Sequence, residues 1–177
     1  MNLTIHRPIH RAVPKKPSGE RGAQLAELAL VLPVLALLAV GVWDFGSAFG
    51  LKQKLTNAAR EGARIVVSNS IIPTPSCGPG TNPPCSIAAA EQAVVQYMSE
   101  ANLNAACLSS ATPFGTYPTW TWSCQGITLT INRGAGAGLD TAVSLTYPVQ
   151  WSMHDFFGAT VVPNQITTQV TMPNLTY

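Results

Sequence analysis

The feature that most limits how this chain can fold is a long apolar run, residues 25–43, whose only charged residue is Glu27. As a helix, its 19 residues would be about 28 Å long, close to the roughly 30 Å hydrocarbon core of a bilayer. Helices of this length in soluble proteins rarely lack a polar face. The run therefore predicts a membrane-spanning helix.

Three kinds of segment contain an apolar run of this kind. A secretory signal peptide would be cut after a small-x-small triplet, such as residues 39–41 or 46–48. A signal anchor would stay uncut, and a pilin-type segment would be cut on the cytoplasmic side of the run. Glu27 bears on the choice, because an acid inside a span is unfavourable unless it lies at the headgroup level or has a charged partner.

Basic residues are concentrated before the apolar run. Residues 1–22 have a net charge of +4 and the remaining residues have −2, so the overall charge of +2 conceals two unlike parts. Because basic residues favour the cytoplasmic side of a span, we expect a cytoplasmic N terminus and a C-terminal part across the membrane. The basic tail has no aromatic residues, so nucleic-acid binding is not predicted.

The apolar run is preceded by Gly22, and Glu27 follows this glycine by five residues. This is the form of the type IV prepilin processing motif, in which a glycine ends a basic leader. Residues 21–64 as a whole resemble the TadE-like family, minor pilin-like proteins of the tight-adherence (Tad/Flp) pilus system. The matching elements are Arg21-Gly22, Glu27, Leu32-Pro33, Asp44-Phe45-Gly46 and the run from Asn57 to Arg64, with a departure at Leu28, where many members have an aromatic residue.

This resemblance implies a function, a set of partners and two kinds of site residue. A prepilin peptidase would cut after Gly22 and make Ala23 the new N terminus, and Glu27 would pair with the N-terminal ammonium of a neighbouring subunit. The partners would be the bacterial inner membrane, the peptidase, other pilin-like subunits and Tad assembly proteins. The head would lie in the periplasm or at the pilus surface. Two alternatives stay open: an uncut single-pass protein whose head binds envelope partners, and a secreted domain released by signal peptidase.

Four cysteines follow the apolar run: Cys77, Cys85, Cys107 and Cys124. An even number beyond a membrane span predicts disulfides formed in an oxidising compartment. Four cysteines allow three pairings, and proximity favours Cys77 with Cys85 and Cys107 with Cys124. A zinc site is the competing interpretation, but the spacings are not of the C-x-x-C type and His154 is the only histidine after the run.

Composition and periodicity predict an α+β fold in four parts. Residues 1–22 form a basic leader and residues 23–43 the transmembrane segment. Small and apolar residues then recur every three or four positions, so residues 44–68 are expected to continue the helix as a stalk. Residues 69–177 form a disulfide-containing head, which begins with a proline-rich loop.

Within the head we predict a second helix packed on an antiparallel sheet of about four strands. Ser86 is the expected N-cap and Glu91 is expected to face outward. The apolar face of the helix consists of Ile87, Ala90, Val94, Met98 and Ala101. Apolar residues later alternate with Thr, Ser, Asn or Gln, as in strands with one solvated face; the stretches are residues 119–123, 127–132, 143–151 and 166–172. The apolar segment 151–157 is expected to form a small helix over the sheet edge or a contact patch.

Recognisable catalytic motifs are absent from the sequence. It contains neither a G-x-S-x-G nor a P-loop motif. Gly134, Gly136 and Gly138 separate two predicted strands, which favours a hairpin loop over a phosphate site. We therefore predict no enzyme, no cofactor, no metal and no small-molecule substrate.

Overall fold

The computed structural model describes residues 19–68, 83–135, 140–151 and 163–174 of the 177-residue chain. These residues form three helices: α1 (Gly19–Val67), α2 (Cys85–Glu100) and α3 (Ala106–Ser110). They also form five strands: β1 (Phe114–Thr116), β2 (Thr119–Cys124), β3 (Ile127–Ala135), β4 (Asp140–Pro148) and β5 (Gln165–Pro173). The predicted α+β fold is confirmed, with a long N-terminal helix followed by a head of helices and antiparallel sheet.

The chain divides into two compact units, Met1–Ala39 and Val40–Tyr177. In the first unit, the described residues are the first part of α1, and their side chains are exposed from Gly22 onward. The helix contains an 18-residue window with a mean hydropathy of 2.5, so it is long and apolar enough to cross a membrane. Exposed apolar side chains are expected on such a helix, because lipid rather than protein surrounds them.

Helix α1 begins at Gly19, four residues before the expected start at Ala23. Once a first turn exists, adding one more residue to a helix has a small free-energy cost, because each added residue contributes a hydrogen bond. Gly22 is thus an internal residue of the helix. At its other end α1 stops at Val67, close to the predicted end of the stalk at residue 68.

The second unit has one hydrophobic core, to which the second half of α1 contributes directly. Its core residues include Leu55, Ala58, Ala59, Ala63 and Val66 from α1, Ile87, Ala90, Val94 and Met98 from α2, and Trp120, Trp122, Leu129, Ile131, Val143 and Leu145 from the sheet. The periodicity of α1 left two partners possible for its small residues, a neighbouring subunit or the protein's own head. In the structure they pack on the head.

The five strands lie side by side in chain order, and every neighbouring pair is antiparallel. One cross-strand row joins Trp120, Ile131, Val143 and Val170 on the core face. The row displaced by one residue joins Thr121, Thr130, Ser144 and Gln169 on the opposite face. The alternation in the sequence therefore corresponds to one core face and one hydroxyl-rich face.

Several details of the head differ from the predictions. The N-cap of α2 is Pro84, without a side-chain cap hydrogen bond, and Ser86 is buried in the first turn instead. Helix α3 and strand β1 were not predicted, because elements of five and three residues are too short to show a period. The sheet accordingly has five strands rather than four. The predicted cover formed by residues 151–157 lies, except for Trp151, outside the described residues.

Candidate processing and assembly segment

The predicted processing and assembly residues lie in the first turns of α1. Gly22, Ala23 and Glu27 are all exposed, and a Cβ added at Gly22 would meet no atom within 4 Å. Ala23 and Glu27 are four residues apart in one helix, which places them on the same face about 6 Å apart along the axis. Among the described residues an ion pair joins Glu61 and Arg64, and none is shown for Glu27.

Residues 57–64 form a part of α1 that packs on the head. Ala58, Ala59 and Ala63 are fully buried, whereas Arg60 and Arg64 are exposed. Small residues therefore line the face toward the core and charged residues line the other. This distribution explains the composition of the segment, because small side chains let two helices approach closely.

Gly62 lies where α1 packs closely against α2. A Cβ built on Gly62 would lie 2.6 Å from Cγ2 of Val94 and 3.7 Å from the carbonyl oxygen of Ala90. Two carbon atoms that are not bonded cannot be 2.6 Å apart unless one of the helices or side chains moves. A glycine is therefore required here for packing and not for its backbone freedom.

Two polar contacts also join α1 to the head. The ammonium of Lys54 donates to the carbonyl oxygen of Ala101, 2.9 Å away, just after the end of α2. The hydroxyls of Thr56 and Thr168 are 3.0 Å apart, which links α1 to β5. Thr168 stands on the core face of β5 and is only 7% exposed, so its hydroxyl needs this partner.

The exposed face of the same segment has a local ion pair. Arg64 donates from Nε and Nη2 to the two carboxylate oxygens of Glu61, at 3.1 and 2.6 Å. The hydrogen bonds from Arg64 hold the pKa of Glu61 below its usual value, and the same contact raises the pKa of Arg64. The pair lies at the surface, where such contacts add little to stability.

The three cysteines that the structure describes take part in disulfides. Cys107 in α3 is bonded to Cys124 at the end of β2, with a Cα–Cα distance of 6.0 Å. This bond fastens the five-residue helix α3 to the sheet. Cys85 is also disulfide-bonded; its expected partner, Cys77, lies outside the described residues.

Glu91 contradicts the expectation that it faces outward. It is 7% exposed, and within the described part of the chain its Oε1 atom has no hydrogen-bond partner. Burial raises the pKa of this carboxyl above its ordinary value. The signal was present in the sequence, because Glu91 is four residues after Ile87 and three before Val94, which places it within the apolar stripe of α2.

The stretch of α1 that follows the apolar run has two unlike sides. Asp44 and Ala48 are 5% and 8% exposed. Trp43, Phe45 and Phe49 are 75%, 77% and 65% exposed. Asp44 and Phe45 belong to one family motif, Asp44-Phe45-Gly46, but Asp44 is buried and the ring of Phe45 is exposed.

Metal binding finds no support in the part of the chain that the structure describes. No group of three or more His, Cys, Asp or Glu side chains there is arranged to hold an ion. The described residues thus include an exposed glycine and an exposed acid near the start of an apolar helix, and a close-packed junction between that helix and the head.

These features define a class of membrane-anchored proteins in which the anchoring helix also supplies part of the core of a small α+β head. A family model described as TadE-like protein matches residues 22–64, which is most of α1. The resemblance predicted from the sequence is confirmed over this segment. No curated protein and no solved structure matches the chain.

Proposed function

We propose that the protein is a minor pilin-like, TadE-like membrane protein that takes part in assembling a tight-adherence (Tad/Flp) pilus or a related secretion apparatus. A prepilin peptidase removes the basic leader after Gly22, on the cytoplasmic side of the inner membrane, and the head faces the periplasm. The observation that carries the proposal is the family match at residues 22–64, which contains Gly22 and Glu27 at the processing-motif spacing.

The chemistry of Glu27 supports an assembly role over a catalytic one. Cleavage would create an ammonium on Ala23, and within one chain this group lies one helical turn from Glu27. Exchange of this contact for the ammonium of a neighbouring subunit would keep both charges paired while two helices stack in register. Breaking a buried ion pair by removing one partner costs about 3–5 kcal/mol, since the remaining charge is left without compensation.

The position of the N terminus tests processing. Mass spectrometry of the full chain purified from membranes that contain a prepilin peptidase should find Ala23 as the first residue. The Gly22→Leu variant should stay uncut. Gly46→Leu is the matched control, because a Cβ at either glycine meets no atom within 4 Å, and it should be processed normally.

The same measurement separates the alternatives. A chain that begins at Met1 would contradict processing and favour an uncut single-pass protein that binds envelope partners through its head. A soluble chain that begins after Gly41 or near Phe49 would contradict the pilin-like function altogether and favour release by signal peptidase.

A substitution at Glu27 tests assembly separately from processing. Glu27→Gln should leave cleavage intact but reduce co-purification with other pilin-like subunits by about a hundredfold, as expected for a loss of roughly 3 kcal/mol. Glu27→Asp keeps the charge and should retain most of the association. Equal association of the Gln variant and the unmodified protein would show that Glu27 is not an assembly contact.

A further inference from the structure

An exposed stripe runs along α1 immediately beyond the apolar run. Val42, Phe45 and Phe49 are 74%, 77% and 65% exposed, and their spacing of three and four residues places them on one face of the helix. Lys52, also exposed, follows at the next step of three on the same face. We call these four residues the juxtamembrane stripe.

The stripe lies on the side of this part of α1 that the rest of the second unit leaves exposed. Asp44 and Ala48 are buried while the aromatic residues beside them are not. Large apolar side chains this exposed and this close together are rare on a soluble surface and indicate a contact with another apolar phase. The stripe is also continuous with the apolar run in the same helix, so the nearest apolar phase is the lipid bilayer proposed to surround that run.

Helix lengths place the stripe at the bilayer surface. Counted from Leu25, the helix has risen about 28 Å at Trp43, about 37 Å at Phe49 and about 42 Å at Lys52. The hydrocarbon core is about 30 Å thick and the bilayer with its headgroups about 40–45 Å. Each of the two headgroup layers is half of the difference, so the outer one ends about 35–38 Å from Leu25. Phe49 therefore falls at the outer limit of the interfacial layer, where aromatic side chains are favoured. Lys52 lies about 5 Å beyond that layer, and because helical side chains tilt toward the helix N terminus, its long side chain is directed back toward the lipid phosphates.

The charge of this surface is suited to anionic lipids. Between Trp43 and Lys52 the only acid is Asp44, which is buried. Lys52 and Lys54 are both exposed, but the ammonium of Lys54 donates to the carbonyl oxygen of Ala101, so the ammonium of Lys52 is the one assigned to lipid. Each basic residue near an anionic membrane surface contributes about 1 kcal/mol of attraction. Arg60 lies about 12 Å farther along the helix, beyond the Debye length of about 8–10 Å over which surface charges act.

We propose that the juxtamembrane stripe is a lipid-binding surface that seats the head on the bilayer. Phe45 and Phe49 enter the interfacial layer, and Lys52 contacts the phosphates of anionic lipids. Membrane contact thus extends beyond Trp43, where the apolar run ends, to Lys52. The inference rests on the proposed membrane anchoring of α1 and adds the depth of the head and the lipid chemistry that holds it.

Photocrosslinking in reconstituted membranes tests this proposal and identifies what covers Phe49. The photoreactive amino acid p-benzoylphenylalanine replaces Phe49 in the full chain, which is reconstituted in bilayers of equal parts phosphatidylcholine and phosphatidylglycerol. The same replacement at Leu30, 76% exposed in the apolar run, reports lipid contact of the anchor. Replacement at Phe114, 60% exposed on the head, is the matched control for an exposed phenylalanine away from α1.

Mass spectrometry of the irradiated protein should show phospholipid adducts at Phe49 in a yield comparable with Leu30, and hardly any at Phe114. Crosslinked dimers without lipid adducts at Phe49 would overturn the proposal, because a second copy would then cover the stripe. Absence of both adducts would overturn it too. If Leu30 also takes no lipid, membrane anchoring fails along with the inference; if Leu30 takes lipid and Phe49 does not, the inference alone fails.

The role of Lys52 is read from the kind of lipid attached. Phosphatidylglycerol should be enriched over phosphatidylcholine at Phe49 by about fivefold, the factor that corresponds to roughly 1 kcal/mol. Lys52→Gln should abolish this enrichment, whereas the matched control Arg60→Gln should retain it. Enrichment that survives in Lys52→Gln, or that is never present, would contradict the assignment of Lys52 to lipid phosphates.

Discussion

The contact between Gly62 and α2 leads to a quantitative prediction about stability. Alanine is favoured over glycine inside a helix by about 1 kcal/mol, so Gly62→Ala has one stabilising effect. Its Cβ, however, would lie 2.6 Å from Cγ2 of Val94. Val94 is β-branched and fully buried, so it cannot turn away without disturbing its neighbours.

Forcing an extra methyl group into a close-packed core costs about 1–3 kcal/mol. Taking about 2 kcal/mol for the clash and about 1 kcal/mol for the helix preference, Gly62→Ala should lower the free energy of unfolding by about 1 kcal/mol. Gly50→Ala is the matched control in the same helix, because a Cβ there meets no atom within 4 Å. It should raise stability by up to about 1 kcal/mol.

The assay is denaturant unfolding of the full chain in detergent, followed by the fluorescence of Trp120 and Trp122, which are buried in the head. A second substitution, Val94→Ala, checks the cause. It should cost less in the Gly62→Ala background than alone, with a coupling energy of about 0.5–3 kcal/mol, as expected for residues in contact. Equal stabilisation by Gly62→Ala and Gly50→Ala would refute the close approach of the two helices.

Two further predictions concern the head. Burial raises the folded-state pKa of Glu91 above its ordinary value of 4.5, so ionisation of the carboxyl lowers the free energy of unfolding increasingly as pH rises above that value. Glu91→Gln should therefore raise stability at pH 7 by about 1 kcal/mol, and this gain should vanish in unfolding titrations below pH 4.5. The exposed control Glu100→Gln should show no gain at either pH. Cys107 and Cys124 are separated by 17 positions in the sequence. Replacing both by serine should lower the free energy of unfolding by about 3 kcal/mol in the same assay. An unchanged denaturation midpoint would show that the crosslink does not constrain the unfolded chain.

The elements with a long and regular pattern were predictable from the sequence. Helix α1 and strands β2 to β5 each repeat one period over enough residues for the pattern to exceed chance. Strand β1 and helix α3 contain three and five residues, so their existence depends on pairing with β2 and on the disulfide to Cys124. The cap of α2 was misassigned because Ser86 and Pro84 both suit a helix start.

The candidate site was predictable only in part, because a motif can be read from the sequence but the burial of its neighbours depends on packing. Gly22 and Glu27 form a short linear motif, and a motif is read from the sequence without knowing what packs on it. The burial of Glu91 was missed because charge was taken as a sign of exposure, although its position in the stripe of α2 indicated the core. The exposure of Phe45 and Phe49 and the burial of Asp44 depend on which side of α1 the second unit covers.

The sequence by itself therefore determined the local and periodic features of this protein: an apolar helix long enough to span a bilayer, a glycine followed five residues later by an acid, and a strand pattern with one hydroxyl-rich face. These follow from the composition and spacing of neighbouring residues, which set hydropathy and side-chain direction. Only the tertiary structure decided that the small residues around Gly62 pack on the protein's own head. Contacts between segments distant in the chain depend on how whole elements pack, and no local pattern in either segment specifies its partner.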